Sequence, residues 1–200
     1  MAYRDFKLED LRAKFGIQNQ ETILFHNIVA VEPSAWLAET LVRHVASIRK
    51  TTEKAVSEAT ISPILSEIQN RNKHKISLFS GENLNADRKS GLNGEVDFLF
   101  VLDPLAYELT SPIISITEAK LSKAIYNSFN QAIAQMIGAQ LFNQKKNQPY
   151  TTIYGSVTNG FEWRFFKLEE KTLHIDETSY TTNNLPQLLG VLQFIIDTYN

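Results

Sequence analysis

Apolar residues recur at helical spacing through the first third of the chain and then change to strand-like runs. Leu8 to Phe15 predicts a short helix stopped by Gly16, a residue that adopts the left-handed conformation at little cost. A second helix is expected from Pro33 to Ala46, with Ala35, Leu37, Leu41, Val42 and Val45 at its apolar positions. Between Thr52 and Gln69, Ala55, Ala59, Ile61, Ile64, Leu65 and Ile68 predict a longer helix. Pro63 inside it lacks an amide proton and calls for a kink or a break.

From residue 76 the period changes. Ile76–Ser80 predicts a short strand, followed by a polar loop from Gly81 to Gly94. Glu95–Leu102 forms an apolar strand that Asp103-Pro104 terminates, and Pro112–Lys120 is a strand rich in β-branched residues. Ser122 is the expected N-cap of a long helix to Asn143 with Ile125, Phe129, Ile133, Met136 and Ile137 on one face. Strands follow at Tyr150–Val157, Phe161–Leu168 and Thr172–Ile175, the first two joined by the hairpin signal Thr158-Asn159-Gly160. Leu185-Pro186 opens a terminal amphipathic helix reaching Tyr199. This order predicts an α/β fold: a central mixed β-sheet flanked by helices, with extra N-terminal helices and a C-terminal helix.

A chain of 200 residues suits one domain, expected to cover 1–200. Its core is placed at 52–168, with a helical segment at 1–50 and the last helix at 185–199. Hydrophobic residues at 43% and charged residues at 21% place it with globular rather than disordered chains. The absence of cysteine excludes disulfides and thiolate metal sites. Met1–Lys7 has no apolar targeting region, and Pro186, Gln187, Gln193 and Asp197 interrupt the apolar stretch from Leu185 to Tyr199. The expectation is a cytoplasmic protein without a membrane partner. A net charge of −2 gives no global argument for nucleic-acid binding. Locally, Lys120, Lys123, Lys145 and Lys146 lie in a stretch without acids, and Arg71, Lys73 and Lys75 form a second basic knot. Solvated surface explains these stretches as readily as a bound polyanion does.

The sequence pattern acid-any-Lys occurs four times, at Asp5, Asp87, Glu118 and Glu169, so the triplet by itself discriminates nothing. Only Glu118-Ala119-Lys120 ends an apolar strand. Alternation puts Ile114, Ile116, Glu118 and Lys120 on one face, where a core opens into a polar cleft. Asp97 lies inside the preceding apolar strand, where an ionised carboxylate is costly unless paired or metal-bound. Two such carboxylates on neighbouring strands could share a hard cation. The alternative is a structural Asp97 paired with Lys120 or with a backbone donor.

Gly94-Glu-Val-Asp97, then Ile113-Ile-Ser-Ile-Thr-Glu118-Ala-Lys120 and a following helix, resemble the PD-(D/E)xK nuclease superfamily, the restriction-endonuclease-like class. Gly91-Leu-Asn-Gly94, Ala139-Gln-Leu-Phe-Asn143 and Ile153-Tyr-Gly155 also resemble small uncharacterised bacterial members. The likeness spans Thr52 to Leu168, and Val96 stands where the family carries its Pro. It implies an αβββαβ core and a magnesium- (or manganese-) dependent nuclease. Asp97, Glu118 and the carbonyl of Ala119 would hold the metal, and Lys120 would act on the attacking water. The resemblance also implies a helix acid, for which Glu58 fits best and Glu53 is the alternative. A helix Gln is implied too, with Gln131 the better match and Gln135 four residues on.

The implied partner is nucleic acid, DNA in the first instance. A homodimer is a further expectation, because double-strand cleavage by a one-site subunit commonly takes two. The rival is a catalytically inactive nuclease-fold protein serving as a nucleic-acid-binding or protein-interaction module. The histidines, His26, His44, His74 and His174, show no zinc-ligand spacing, and no phosphate-cradling glycine loop or nucleophile elbow is present.

Overall fold

Seven strands form one mixed sheet in the order β1-β7-β6-β5-β4-β3-β2. In this computed structural model, residues 1–49, 51–110, 112–121 and 125–199 are described. A 3-10 turn at Tyr3–Asp5 leads into α1 (Leu8–Phe15), where Gly16 at φ 70° closes the helix as its sequence predicts. Strand β1 (Gln18–Thr22) then pairs in parallel with β7 at the sheet edge. The segment 1–50 was expected to be helical only. This strand escapes a pattern search because Gln-Asn-Gln-Glu-Thr is wholly polar, and only pairing with β7 makes it a strand.

Helix α2 (Ala35–Ser47) begins two residues later than predicted, because the Ser34 side chain accepts from the Leu37 amide and caps it. Of its expected apolar positions, Leu37 is buried and Val42 is 71% exposed. The predicted helix from Thr52 is a continuous rod of α3 (Glu53–Val56), a π-helical turn (Ser57–Ile61) and α4 (Ser62–Arg71). Pro63 therefore neither breaks nor ends it. The π turn absorbs the proline, and the Ala59 carbonyl, to which Pro63 has no amide to offer, accepts from His44 Nδ1 at 3.0 Å.

Strands β2 (Ser77–Asn83), β3 (Glu95–Val101) and β4 (Ile113–Ala119) form an antiparallel meander. Helix α5 (Phe129–Lys145) then crosses over to β5 (Thr152–Thr158), which runs parallel to β4. The predicted N-cap, Ser122, lies outside the described residues. Strands β6 (Glu162–Glu169) and β7 (Thr172–Thr181) complete an antiparallel run, and β7 is longer than the Thr172–Ile175 expected. Helix α6 (Leu185–Asp197) closes the chain.

The sheet separates two cores. One, on the α5 side, gathers Leu11, Leu99, Ile116, Ile133, Met136 and Phe166; the other, under α4 and α6, gathers Leu65, Phe98, Ile114, Phe165, Leu189 and Ile195. Ile114 and Ile116 thus lie on opposite faces, against the simple alternation read from the sequence. The β3–β4 register steps from Phe100↔Ser115 to Val101↔Ile113, so Ile114 is an extra residue that reverses the faces before it. Downstream of this bulge, Ile116 and Glu118 still share the α5 face.

The bulged end of β4 is held by Asn143, which is fully buried on α5. Its Oδ1 accepts from the Ile113 amide at 2.8 Å and its Nδ2 donates to the Ile113 carbonyl at 2.7 Å. Asn143→Ala removes both of these buried bonds and should cost about 3 kcal/mol. Urea unfolding measures this; a loss below about 1 kcal/mol would show that the two bonds contribute little. No helix among the described residues is long and apolar enough to cross a membrane.

Candidate active site

Residues Asp97 and Glu118 stand next to each other on adjacent strands. The β3–β4 ladder ends at Phe98↔Thr117, and Asp97 and Glu118 are the next residues beyond that pair. Both residues line one pocket together with Lys120. Both strands are apolar at this level, since Val96 and Ile116 are fully buried, so the two carboxyls sit at the rim of a dry core.

Few hydrogen bonds orient the pair. Asp97 Oδ2 accepts from the Ala119 amide at 2.7 Å. Glu118, 1% exposed, accepts from Gln135 Nε2 at 2.7 Å on Oε2, and its Oε1 lies 2.8 Å from Lys120 Nζ. The Lys120 amide donates to the Thr158 carbonyl at 2.8 Å, which fixes the backbone from which this ammonium projects. Glu53, in the first turn of α3, comes within 3.7 Å of Lys120 Nζ.

The charges are strained by burial. Burial pushes Glu118 up to about 7, and the neighbouring Asp97 adds to the rise against Lys120 and Gln135. Asp97 is also raised, chiefly by burial, although the Ala119 amide and Lys120 oppose the shift. Burial works against the charge on Lys120, yet Glu118 with Glu53 and Asp97 outweighs it and raises the lysine.

The helix residues expected at the site divide. Glu58 lines a pocket of about 470 Å³ with Glu53, Asp97 and Ala119, but its side chain is 60% exposed and its ion pair is with Lys54 at 3.8 Å. Glu53, the alternative, is the helix acid that reaches Lys120. Gln131 lines a second pocket of about 350 Å³ beside Asp97, Glu118 and Lys120. Gln135 makes the hydrogen bond to Glu118. The four-residue spacing puts both glutamines near one helix face, and only burial separates them: Gln135 is fully enclosed. Sequence reasoning also missed Ala2, Tyr3 and Arg4, which wall the second pocket. No local signal marks them, because a chain segment far away in sequence reaches the site only through tertiary packing.

Among the described residues no group of three or more His, Cys, Asp or Glu side chains is gathered at metal-binding separation. The donor set nonetheless fits a hard divalent cation, which takes few protein oxygens and keeps waters. The half-buried Asp97 and the buried Glu118 bring two carboxyls to one pocket, and Gln135 Oε1 beside Glu118 is buried with no hydrogen-bond partner. A cation between the carboxyls would offset the repulsion from Asp97 that adds to the rise of Glu118. A separate cavity of about 660 Å³, lined by Phe15, Leu92, Leu141 and Lys171 among others, includes none of these groups.

No protein-family model matches the chain, and the curated proteins include no significant relative.

Proposed function

We propose that the protein is a metal-dependent nuclease of the PD-(D/E)xK class that hydrolyses DNA phosphodiester bonds. The observation that carries this reading is the meeting of Asp97 and Glu118, from adjacent strands, in one pocket with Lys120, whose Nζ lies 2.8 Å from Glu118. The chain order of α3–α4, β2, β3, β4, α5 and β5 also agrees with the αβββαβ core of that class.

Asp97 and Glu118 would hold Mg²⁺ or Mn²⁺, with the Ala119 carbonyl as a third oxygen. The ion would stabilise charge on the phosphate and lower the pKa of the attacking water. Lys120 keeps its proton beside Glu118 and offsets negative charge that develops on the phosphoryl group. Gln135 holds the Glu118 carboxylate in one orientation, and Glu53 steadies the ammonium from the far side. The apolar floor beneath the pair excludes bulk water and strengthens each of these interactions.

A second reading, a nuclease fold kept as a binding module, is favoured by one observation: both oxygens of Glu118 have protein partners, Lys120 and Gln135. Titration calorimetry with Mn²⁺ and nicking of supercoiled plasmid separate the two. The enzyme binds Mn²⁺ with release of protons at pH 7, nicks plasmid in Mg²⁺ and stops in EDTA. Protein that binds DNA but neither takes up Mn²⁺ nor nicks would leave the binding module as the better account.

A further inference from the structure

The pocket of about 350 Å³ beside Glu118 is walled on one side by Ala2, Tyr3 and Arg4. This short segment is pinned at several points. Tyr3 is 1% exposed; its hydroxyl donates to the Leu84 carbonyl at 2.9 Å and its amide to the Asn93 carbonyl at 3.1 Å. Its ring lies on α5 at Gly138, where any Cβ would collide with the phenol. Phe6 is 3% exposed on the other side, and the Asp5 carboxylate accepts from the Ala2 amide at 2.7 Å.

Arg4 stands between these anchors with its backbone held and its side chain 81% exposed. Its ion pair with the neighbouring Asp5, Nε to Oδ1 at 3.9 Å between exposed groups, is weak. The other cations on the two pockets are engaged. Lys120 lies between Glu118 and Glu53, and Lys54 faces Glu58. Among the described residues lining both pockets, Arg4 is the cation without a cleft carboxylate as partner. The same walls carry Glu53, Glu58, Glu95, Asp97 and Glu118, so a polyanion approaching this cleft meets net repulsion.

We propose that Arg4 is a substrate-binding residue of this site, its guanidinium taking a backbone phosphate of nucleic acid beside the phosphate presented to Asp97 and Glu118. The inference rests on the phosphodiesterase reading and adds to it the group that overcomes the acidic cleft. A guanidinium presents paired donors that match phosphate oxygens in bidentate fashion. Holding the backbone in advance leaves only side-chain freedom to be lost on binding. Arg4 touches no reacting atom, so its effect falls on affinity.

The test compares wild type, Arg4→Ala, Arg4→Lys and Arg4→Glu. Plasmid nicking in Mg²⁺ gives kcat and KM, and fluorescence anisotropy of a fluorescein-labelled duplex in Ca²⁺ gives Kd across a salt series. Arg4→Ala should raise KM and Kd about tenfold with kcat within about twofold, and lower the slope of log Kd against log salt by about one. Arg4→Lys should recover most of the affinity and Arg4→Glu should lose more than Arg4→Ala. Wild-type values of KM, Kd and salt slope in Arg4→Ala, with wild type binding and nicking normally, overturn the assignment of Arg4 alone. Wild-type protein that neither binds nor nicks overturns the nuclease reading and this inference together.

Discussion

Asp97→Ala, Glu118→Gln and Lys120→Met should each lower plasmid nicking about a thousandfold, with little change in KM for DNA. On the proposed nuclease reading, each removes something the other two cannot replace: one carboxylate that would hold the ion, the second carboxylate, or the cation that would stand beside the phosphoryl group. Because the three act as a unit, the Asp97→Ala/Glu118→Gln double variant should be no slower than the slower single variant. Lys120→Arg should not restore the rate, since the Lys120 side chain is only 18% exposed and a planar guanidinium does not take the place of a compact ammonium there. Circular dichroism and urea unfolding of each variant confirm that the fold is kept. A single variant that retains more than about a tenth of wild-type nicking would remove its residue from the catalytic assignment.

Stability of the metal-free protein should fall as pH rises from about 5 to about 8, the reverse of the usual effect of a paired acid. Glu118 moves from an ordinary 4.5 to about 7 because it is buried beside Asp97. Between those values the folded protein holds a proton that the unfolded chain has released. Stability is therefore greatest below 4.5 as far as Glu118 is concerned, and is lost as pH rises through 7. The difference is on the order of 3 kcal/mol, and Asp97, raised in the same direction, acts with the same sign. Glu118→Gln takes away the titrating group and the repulsion, so its unfolding midpoint in urea should vary far less over the same range. Millimolar Mg²⁺ should raise the wild-type melting temperature at pH 8 and leave it unchanged at pH 5, where protons occupy the carboxyls. A wild type more stable at pH 8 than at pH 5 without metal would contradict the burial of this pair.

Much of the architecture can be read from local pattern. The Gly16 stop, the apolar β3 and β4 strands, the Thr158–Gly160 turn and the terminal helix all follow from periodicity and turn chemistry, which act within a few residues. Strand β1 does not, because its polar residues form a strand only by pairing with β7. Nor does the reversal of faces at Ile114, since a bulge depends on how two strands meet. The π turn before Pro63 belongs with these: the proline announces a disturbance, but the helix continues through a π turn that local pattern does not mark.

At the site, sequence singles out Asp97, Glu118 and Lys120 because charge inside apolar strands is costly and therefore conspicuous. It leaves the supporting groups open. Glu53 and Glu58 lie five apart on one helical rod, and Gln131 and Gln135 four apart on another, so periodicity ranks none of them. Their distances to Lys120 and Glu118 come from the angle and depth at which each helix packs on the sheet. What the chain determines by itself is therefore the identity of the elements and of the three charged residues at their ends. Tertiary structure alone decides which face each side chain takes, which helix residues reach the pair, and that Arg4 stands at the rim. Those outcomes depend on contacts between segments distant in sequence, and short-range pattern carries no record of such contacts.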